Sequence, residues 1–184
     1  LSNLKDSHKN LCIHLANSAG TLRDKALHFD MVRVGLALYG YKPFEDFDDN
    51  CFLKPALAVR ARITLIRDVP AKTGVSYGHN FITNRPSRLA VVGIGYADGV
   101  IRALSGKISV LINGCFYRQV GSITMDQLVV DITENKDIQI GDVVTLLGED
   151  RGSSITPYQW SQACGSIPWE ILCSFKYRLP RVVI

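Results

Sequence analysis

The chain has 184 residues, 47% of them hydrophobic, enough for one or two domains with a real core. Its net charge of +4 is spread thinly: Arg60, Arg62, Arg67, Arg85 and Arg88 are dispersed, which argues against nucleic-acid binding or a polybasic membrane anchor. No stretch approaches roughly 18 uncharged apolar residues, so no transmembrane span is expected.

In chain order, the first residues start without Met and without an apolar signal core, which predicts a piece of a longer polypeptide. Residues 11–15 suit a short apolar strand interrupted by His14. A small polar turn follows at 17–20, then a short helix over 21–28 and a second apolar strand over 31–39, closed by Gly40. This is the α/β repeat, in which ligands gather beyond the carboxyl ends of strands. The acidic, Pro-bearing stretch 42–50 reads as a linker.

Beyond it the texture changes to short β-runs. Residues 56–67 alternate partly, with Leu57, Val59, Ala61, Ile63 and Leu65 on one side, and 88–96 form a second run. Runs at 107–112 and 115–120 flank Asn113-Gly114, a strong hairpin signal because a type I′ turn needs positive φ at both positions. Runs at 127–132 and 142–147 follow, and the pattern argues for a compact β-barrel or sandwich. Thr156-Pro157 opens a helix to about Cys164, since proline suits the first helical position. Pro168 opens a second helix to about Phe175, and 177–184 are expected to be extended. The division expected is 1–45 and 46–184.

Five cysteines (Cys12, Cys51, Cys115, Cys164 and Cys173) form no C-x-x-C pair. Their apolar surroundings predict buried, reduced thiols. The four histidines, at 8, 14, 28 and 79, show no metal spacing, so no metal site is expected.

Five segments could carry chemistry. Asn17-Ser18-Ala19-Gly20 precedes a helix, where free backbone N–H groups and a hydroxyl can hold a phosphate; the same residues also make ordinary helix caps. Arg33 in an apolar strand needs a partner, either a structural ion pair or a ligand at the strand end, and Gly35 beside it permits close backbone approach. Gly74-Val-Ser-Tyr-Gly-His79 is a glycine-flanked loop around Tyr77, which is either a base or an ordinary loop aromatic. Gly93-Ile-Gly-Tyr-Ala-Asp-Gly99 lacks the spacing and the βαβ context of a dinucleotide fingerprint and reads as a strand end with an Asp turn. Gly121-Ser-Ile-Thr-Met-Asp126 is either a bulge or a substrate-facing loop.

Taken in order, His14-Leu-Ala-Asn-Ser-Ala19, Val32-Arg-Val-Gly-Leu-Ala-Leu-Tyr-Gly40, Gly74-Val-Ser-Tyr-Gly78, Gly95-Tyr-Ala-Asp-Gly99, Gly121-Ser-Ile-Thr-Met-Asp126 and Tyr177-Arg-Leu-Pro-Arg181 closely resemble the alanine racemase family. The resemblance runs through nearly the whole chain. It implies a mixed fold, the last strands and helix of a pyridoxal 5'-phosphate (PLP)-binding (β/α)8 barrel followed by a mainly β C-terminal barrel domain. It also implies a cytoplasmic homodimer that supplies D-alanine, a peptidoglycan precursor.

By the same resemblance, Asn17, Ser18, the backbone near Gly35 and Leu36, and Tyr177 hold the cofactor phosphate. Arg33 faces the pyridine nitrogen, and His14 orients Arg33 from behind. Tyr77 is one of two bases, while Met125 and Tyr96 contact substrate and, like Tyr77, act across the dimer interface. The other base in the family is the lysine that carries the cofactor as a Schiff base. No lysine here stands in the matching context, so the 184-residue chain alone is expected to be inactive and to hold PLP poorly. Two departures are visible, at His79-Asn80-Phe81 and in what looks like a lengthened loop over 149–154. The alternatives are a racemase of serine, lysine or a broader amino-acid set, and a non-catalytic, dimerising β-domain.

Overall fold

A computed structural model of the chain describes residues 11–43 and 52–183. It divides into two compact units, Leu1–Leu57 and Ala58–Ile184. Residues 44–50 of the expected linker lie outside the described residues.

In the first unit, helix α1 (Ser18–Arg23) starts at Asn17, whose side-chain oxygen accepts from the Gly20 amide at 3.1 Å. A short 3-10 turn, Lys25–Leu27, follows. The helix expected over 21–28 is thus earlier and broken, because Asp24 turns extended and caps the second turn through Ala26 N. The two expected strands reduce to one parallel bridge, Asn17 with Arg33. The bond from Arg33 N to Ala16 O (2.8 Å) and that from Asp30 N to Ile13 O (3.0 Å) tie the two segments together. Residues Leu36–Tyr39, expected to continue a strand, instead curl into a 3-10 turn that ends at Gly40 in the left-handed region.

The second unit holds strands β1 (Val59–Val69), β2 (Gly74–Val75), β3 (Phe81–Ile82), β4 (Ser87–Val92), β5 (Ser109–Ile112), β6 (Cys115–Val120), β7 (Leu128–Asp131), β8 (Val143–Asp150) and β9 (Ser153–Ile155). All pairings are antiparallel. They run β1-β4-β7-β6-β5-β8, and β8 pairs in turn with the first half of β1. Strand β1 serves both neighbours by dividing its length: Val59–Arg62 pair with β8, and Ile63–Val69 with β4. A register shift between Ile63 and Leu65 marks the change. That bulge breaks the expected alternation: Ile63 is buried, but Leu65 is exposed and Ile66 turns partly inward.

Apolar side chains fill the interior, with Val92, Val110, Ile112, Leu128, Val130 and Leu146 fully buried. Helices α2 (Pro157–Cys164) and α3 (Pro168–Ser174) pack together, with Trp160 buried and its ring 6.1 Å from that of Phe175. At α2 the Gln159 side chain accepts from Thr156 N at 2.8 Å, half of a capping box.

Asn113 and Gly114 join β5 to β6 with φ of 53° and 81°, the expected type I′ pattern. Arg151 and Gly152 join β8 to β9 in the same way, with φ of 49° and 86°. The expected lengthened loop over 149–154 is therefore a tight hairpin, whose signal was obscured because Arg stands where Asn or Asp usually does. Residues 177–183 form a turn and irregular chain with no strand pairing. The thiols of Cys12, Cys115 and Cys173 are free and exposed and that of Cys164 is half-buried, contrary to the expectation of burial; Cys115 and Cys173 fall on the outward faces of their strand and helix. Cys51 lies outside the described residues. Among the described residues, no helix is long and apolar enough to cross a membrane.

Candidate functional site

Each unit gathers its own set of candidate residues. In the first, Ser18 is buried, and its Oγ accepts from the backbone N–H of Gly35 at 3.0 Å and of Ala37 at 3.3 Å. Both amides belong to the entry of the 3-10 turn over 36–39, whose first N–H groups have no partner inside the turn. The second amide is that of Ala37; Leu36 is buried and lies between the two donors. Gly35 faces open space where a side chain would otherwise project.

Arg33 is exposed rather than sealed in an apolar strand. Its Nη1 donates to His14 Nδ1 at 2.8 Å and to the His14 carbonyl at 3.2 Å. Because a guanidinium only donates, His14 Nδ1 must accept, which sets the ring proton on Nε2. Asn17 is spent on capping α1. The donor set is thus a hydroxyl, two amides and a guanidinium that cannot be neutralised, suited to an anionic group and to a ring nitrogen that accepts a hydrogen bond.

In the second unit, Tyr77, Tyr96 and Met125 line one open cavity of about 530 Å³, together with Arg102, Asp126 and Gln127. Tyr177 is not among its lining residues and projects fully into solvent.

Tyr77 is presented by a constrained loop. Ser76, just before it, has φ 62° and ψ −175°, a conformation that costs a non-glycine residue about 1–3 kcal/mol. A bond from Ser76 Oγ to Ser122 O (2.6 Å) offsets that cost. Ser122 Oγ in turn donates to Tyr77 O at 3.0 Å and accepts from Asn80 Nδ2 at 3.2 Å. A Cβ at Gly74 would lie 2.5 Å from the ring of His79, so any other residue there would push that ring aside. The departure noted at His79-Asn80 is therefore part of this loop's support. Tyr77 is 78% exposed, and among the described residues its hydroxyl meets no partner.

Tyr96 and Met125 are joined through their backbones. Tyr96 N donates to Thr124 O at 2.9 Å and Ala97 N to Met125 O at 3.0 Å. Gly95 permits this approach, since a Cβ there would lie 2.2 Å from Thr124 O. Beneath them the fully buried Gln119 donates to the Val120 and Gly121 carbonyls and accepts from Gly106 N. That network holds the loop start in place.

Sequence reasoning missed Arg102, Asp98 and Arg178. Arg102 sits on a short 3-10 turn with no motif around it, and only the fold brings it to the cavity. Arg178 Nε lies 3.2 Å from Asp98 Oδ1, and its Nη2 donates to Asp126 Oδ1 at 2.6 Å. The Asp126 hydrogen bond raises the Arg178 guanidinium above its ordinary value; desolvation offsets part of this, and the charges of both carboxylates add to it. Among the described residues, no group of three or more His, Cys, Asp or Glu could hold a metal.

Comparison with known proteins covers both units. Residues 56–183 match the family described as alanine racemase, C-terminal domain, and residues 1–43 match alanine racemase, N-terminal domain. An alanine racemase of Prochlorococcus marinus is 76% identical over 184 residues, covering 100% of this chain and 48% of the relative. Among solved structures, alanine racemase from Bacillus anthracis with bound L-Ala-P superposes with a TM-score of 0.90 at 34% identity, covering 100% of this chain and 47% of that one. Alanine racemase from Bartonella henselae with covalently bound pyridoxal phosphate gives 0.84 at 36% identity, covering 100% and 50%. The chain spans about half the length of the relatives it matches.

Proposed function

We propose, from the premise that the chain belongs to the alanine racemase family, that the polypeptide carrying it is a PLP-dependent isomerase interconverting L- and D-alanine with two bases, one of them Tyr77. The observation that carries this reading is the convergence of Tyr77, Tyr96 and Met125, from three separate motifs, on one cavity.

The donors of the first unit fit the cofactor's chemistry. Ser18 Oγ and the backbone near Gly35 and Leu36, where the Gly35 and Ala37 amides meet Ser18 Oγ, would take the phosphate beside Asn17, and the phosphate role proposed for Tyr177 rests on the family resemblance. Arg33 would face the pyridine nitrogen, held in orientation by His14. When bound, PLP supplies an electron sink that acidifies the α-C–H of the amino acid. Arg33 remains charged throughout, so it lends a hydrogen bond without yielding its proton and keeps that sink moderate. Tyr77 Oη exchanges the α-proton on one side of the substrate, as racemisation requires a group on each side. The second base is proposed to be a lysine with no counterpart in this chain.

The same reading takes 1–45 as the end of a (β/α)8 barrel and 46–184 as a β-barrel domain. The circuit of pairings from β1 back to β1 supports the latter. It further takes the whole protein as a cytoplasmic homodimer whose partner contributes Tyr77, Tyr96 and Met125 to the shared site.

The test is racemisation of L-alanine by the full-length polypeptide beside its Tyr77→Phe variant. D-alanine from the parent and a collapse in the variant is the expected result. PLP binding without alanine turnover would redirect the reading to another amino acid, and full activity in Tyr77→Phe would remove the tyrosine from its role.

A further inference from the structure

Residues 176–180 touch the rest of the second unit through very little. Among the described residues, every hydrogen bond and ion pair that ties this segment to other parts of the unit is made by the Arg178 side chain. Its two partners are unlike each other. Asp98 is 8% exposed, and its other oxygen accepts from Gly95 N at 2.9 Å, so it is anchored inside the 95–98 turn. Asp126 is exposed and closes the 121–126 loop directly after Met125. One planar fork therefore spans three pieces of chain, each next to a proposed site residue: Tyr96, Met125 and Tyr177.

We propose that Arg178 is a positioning residue that, by gripping Asp98 and Asp126 together, fixes the Tyr96 turn and the Met125 loop relative to the segment presenting Tyr177. The proposal rests on the reading of Tyr96 and Met125 as substrate-facing residues. An exposed ion pair adds little to global stability, because solvent screens it and ordering two side chains opposes it. Location is a different matter. A guanidinium offers donors in a rigid plane and can serve two carboxylates in fixed directions, whereas an ammonium is a point charge on a flexible stem. The backbone bonds of Tyr96 and Ala97 already join the first two pieces. Arg178 supplies the third contact, which stops the joined pair from rocking against the Tyr177 turn, and it does so without touching substrate.

The experiment uses the full-length, PLP-loaded polypeptide with Arg178→Gln and Arg178→Lys, read in two independent ways. Hydrogen exchange followed by mass spectrometry should show faster exchange in peptides covering 94–99, 122–127 and 176–180 in Arg178→Gln, with the β5–β6 hairpin unchanged. Steady-state racemisation should show KM raised about tenfold with kcat within about twofold, and Arg178→Lys intermediate. Should Arg178→Gln not fold, Arg178→Lys carries both readouts. Unchanged exchange in the three peptides, or equal losses in kcat and KM that follow global stability, would overturn the assignment. Faster exchange in Arg178→Gln, with a parent that does not racemise alanine, would uphold the clamp and sink the functional reading instead.

Discussion

The hydroxyl of Ser122 donates to the carbonyl oxygen of Tyr77 at 3.0 Å, joining residues 45 apart in sequence. A second bond in the opposite direction, from Ser76 Oγ to Ser122 O, makes the joint reciprocal. Replacing Ser122 with Ala removes the bond to Tyr77 and the acceptor of Asn80, and leaves the Ser76 bond. We expect a loss of about 1–2 kcal/mol in chemical denaturation of the full-length protein, because a hydrogen bond is lost and a neighbouring donor is left to find water. Racemisation should fall by more than stability explains, since the loop that aims Tyr77 is loosened while the fold remains. Wild-type turnover in Ser122→Ala would remove this joint from the account of Tyr77.

His14 has one task visible in the structure, accepting from Arg33. In His14→Ala the guanidinium keeps its charge and its bond to the backbone carbonyl but loses its preferred direction. Racemisation by the full-length enzyme should drop about tenfold, the lower end of what loss of an orienting partner costs. Thermal stability should barely move, since both side chains are exposed. A shift in the absorbance of bound PLP is the accompanying measurement, and an unchanged spectrum with unchanged rate would count against the pairing.

Gly95→Ala sets a Cβ 2.2 Å from Thr124 O and 2.4 Å from Met125 O, both backbone atoms that cannot swing aside. The expected cost is about 2–3 kcal/mol, typical of forced overpacking, visible as a lowered denaturation midpoint. An unperturbed midpoint would mean that the 95–98 turn and the 124–125 loop are less closely joined than described.

Arg151→Asn should stabilise. Arg151 holds φ of 49° at the first position of a two-residue turn, where Asn is tolerated far better. A gain of about 0.5–1 kcal/mol in unfolding free energy is expected, the usual scale for relieving an unfavourable turn residue. The β5–β6 hairpin, with Asn113 already in that position, is the internal control.

Much of the fold was legible where a local rule and the tertiary structure agree. Asn113-Gly114 specifies its own turn, and Thr156-Pro157 its own helix start. The rule failed where distant pairing decides. Leu65 reads as inward because the alternation cannot reveal that β1 changes neighbours at Ile63. Residues 36–39 read as strand because they are apolar, while the amides of Gly35 and Ala37 turn towards Ser18 instead. In the site, Tyr77, Tyr96 and Met125 stood inside recognisable wording. Asp98 and Arg178 also stood inside such wording, but without a role, and Arg102 stood outside it; their importance lies in which loops they join, and spacing along the chain carries no trace of that.

Strand β1 has a consequence for how the second unit is made. Val59, its first residue, finds its β8 partner in Leu147, the fifth residue of that strand. During synthesis the other half of β1 can pair with β4 as soon as that strand emerges, while Val59–Arg62 wait for residues 143–147 of β8. The pairing of β1 with β8 therefore comes late in synthesis, across a large sequence separation whose loop entropy is lost before the contacts repay it. Slow folding, and vulnerability to aggregation of chains interrupted before β8, follow from the strand that comes first being finished last.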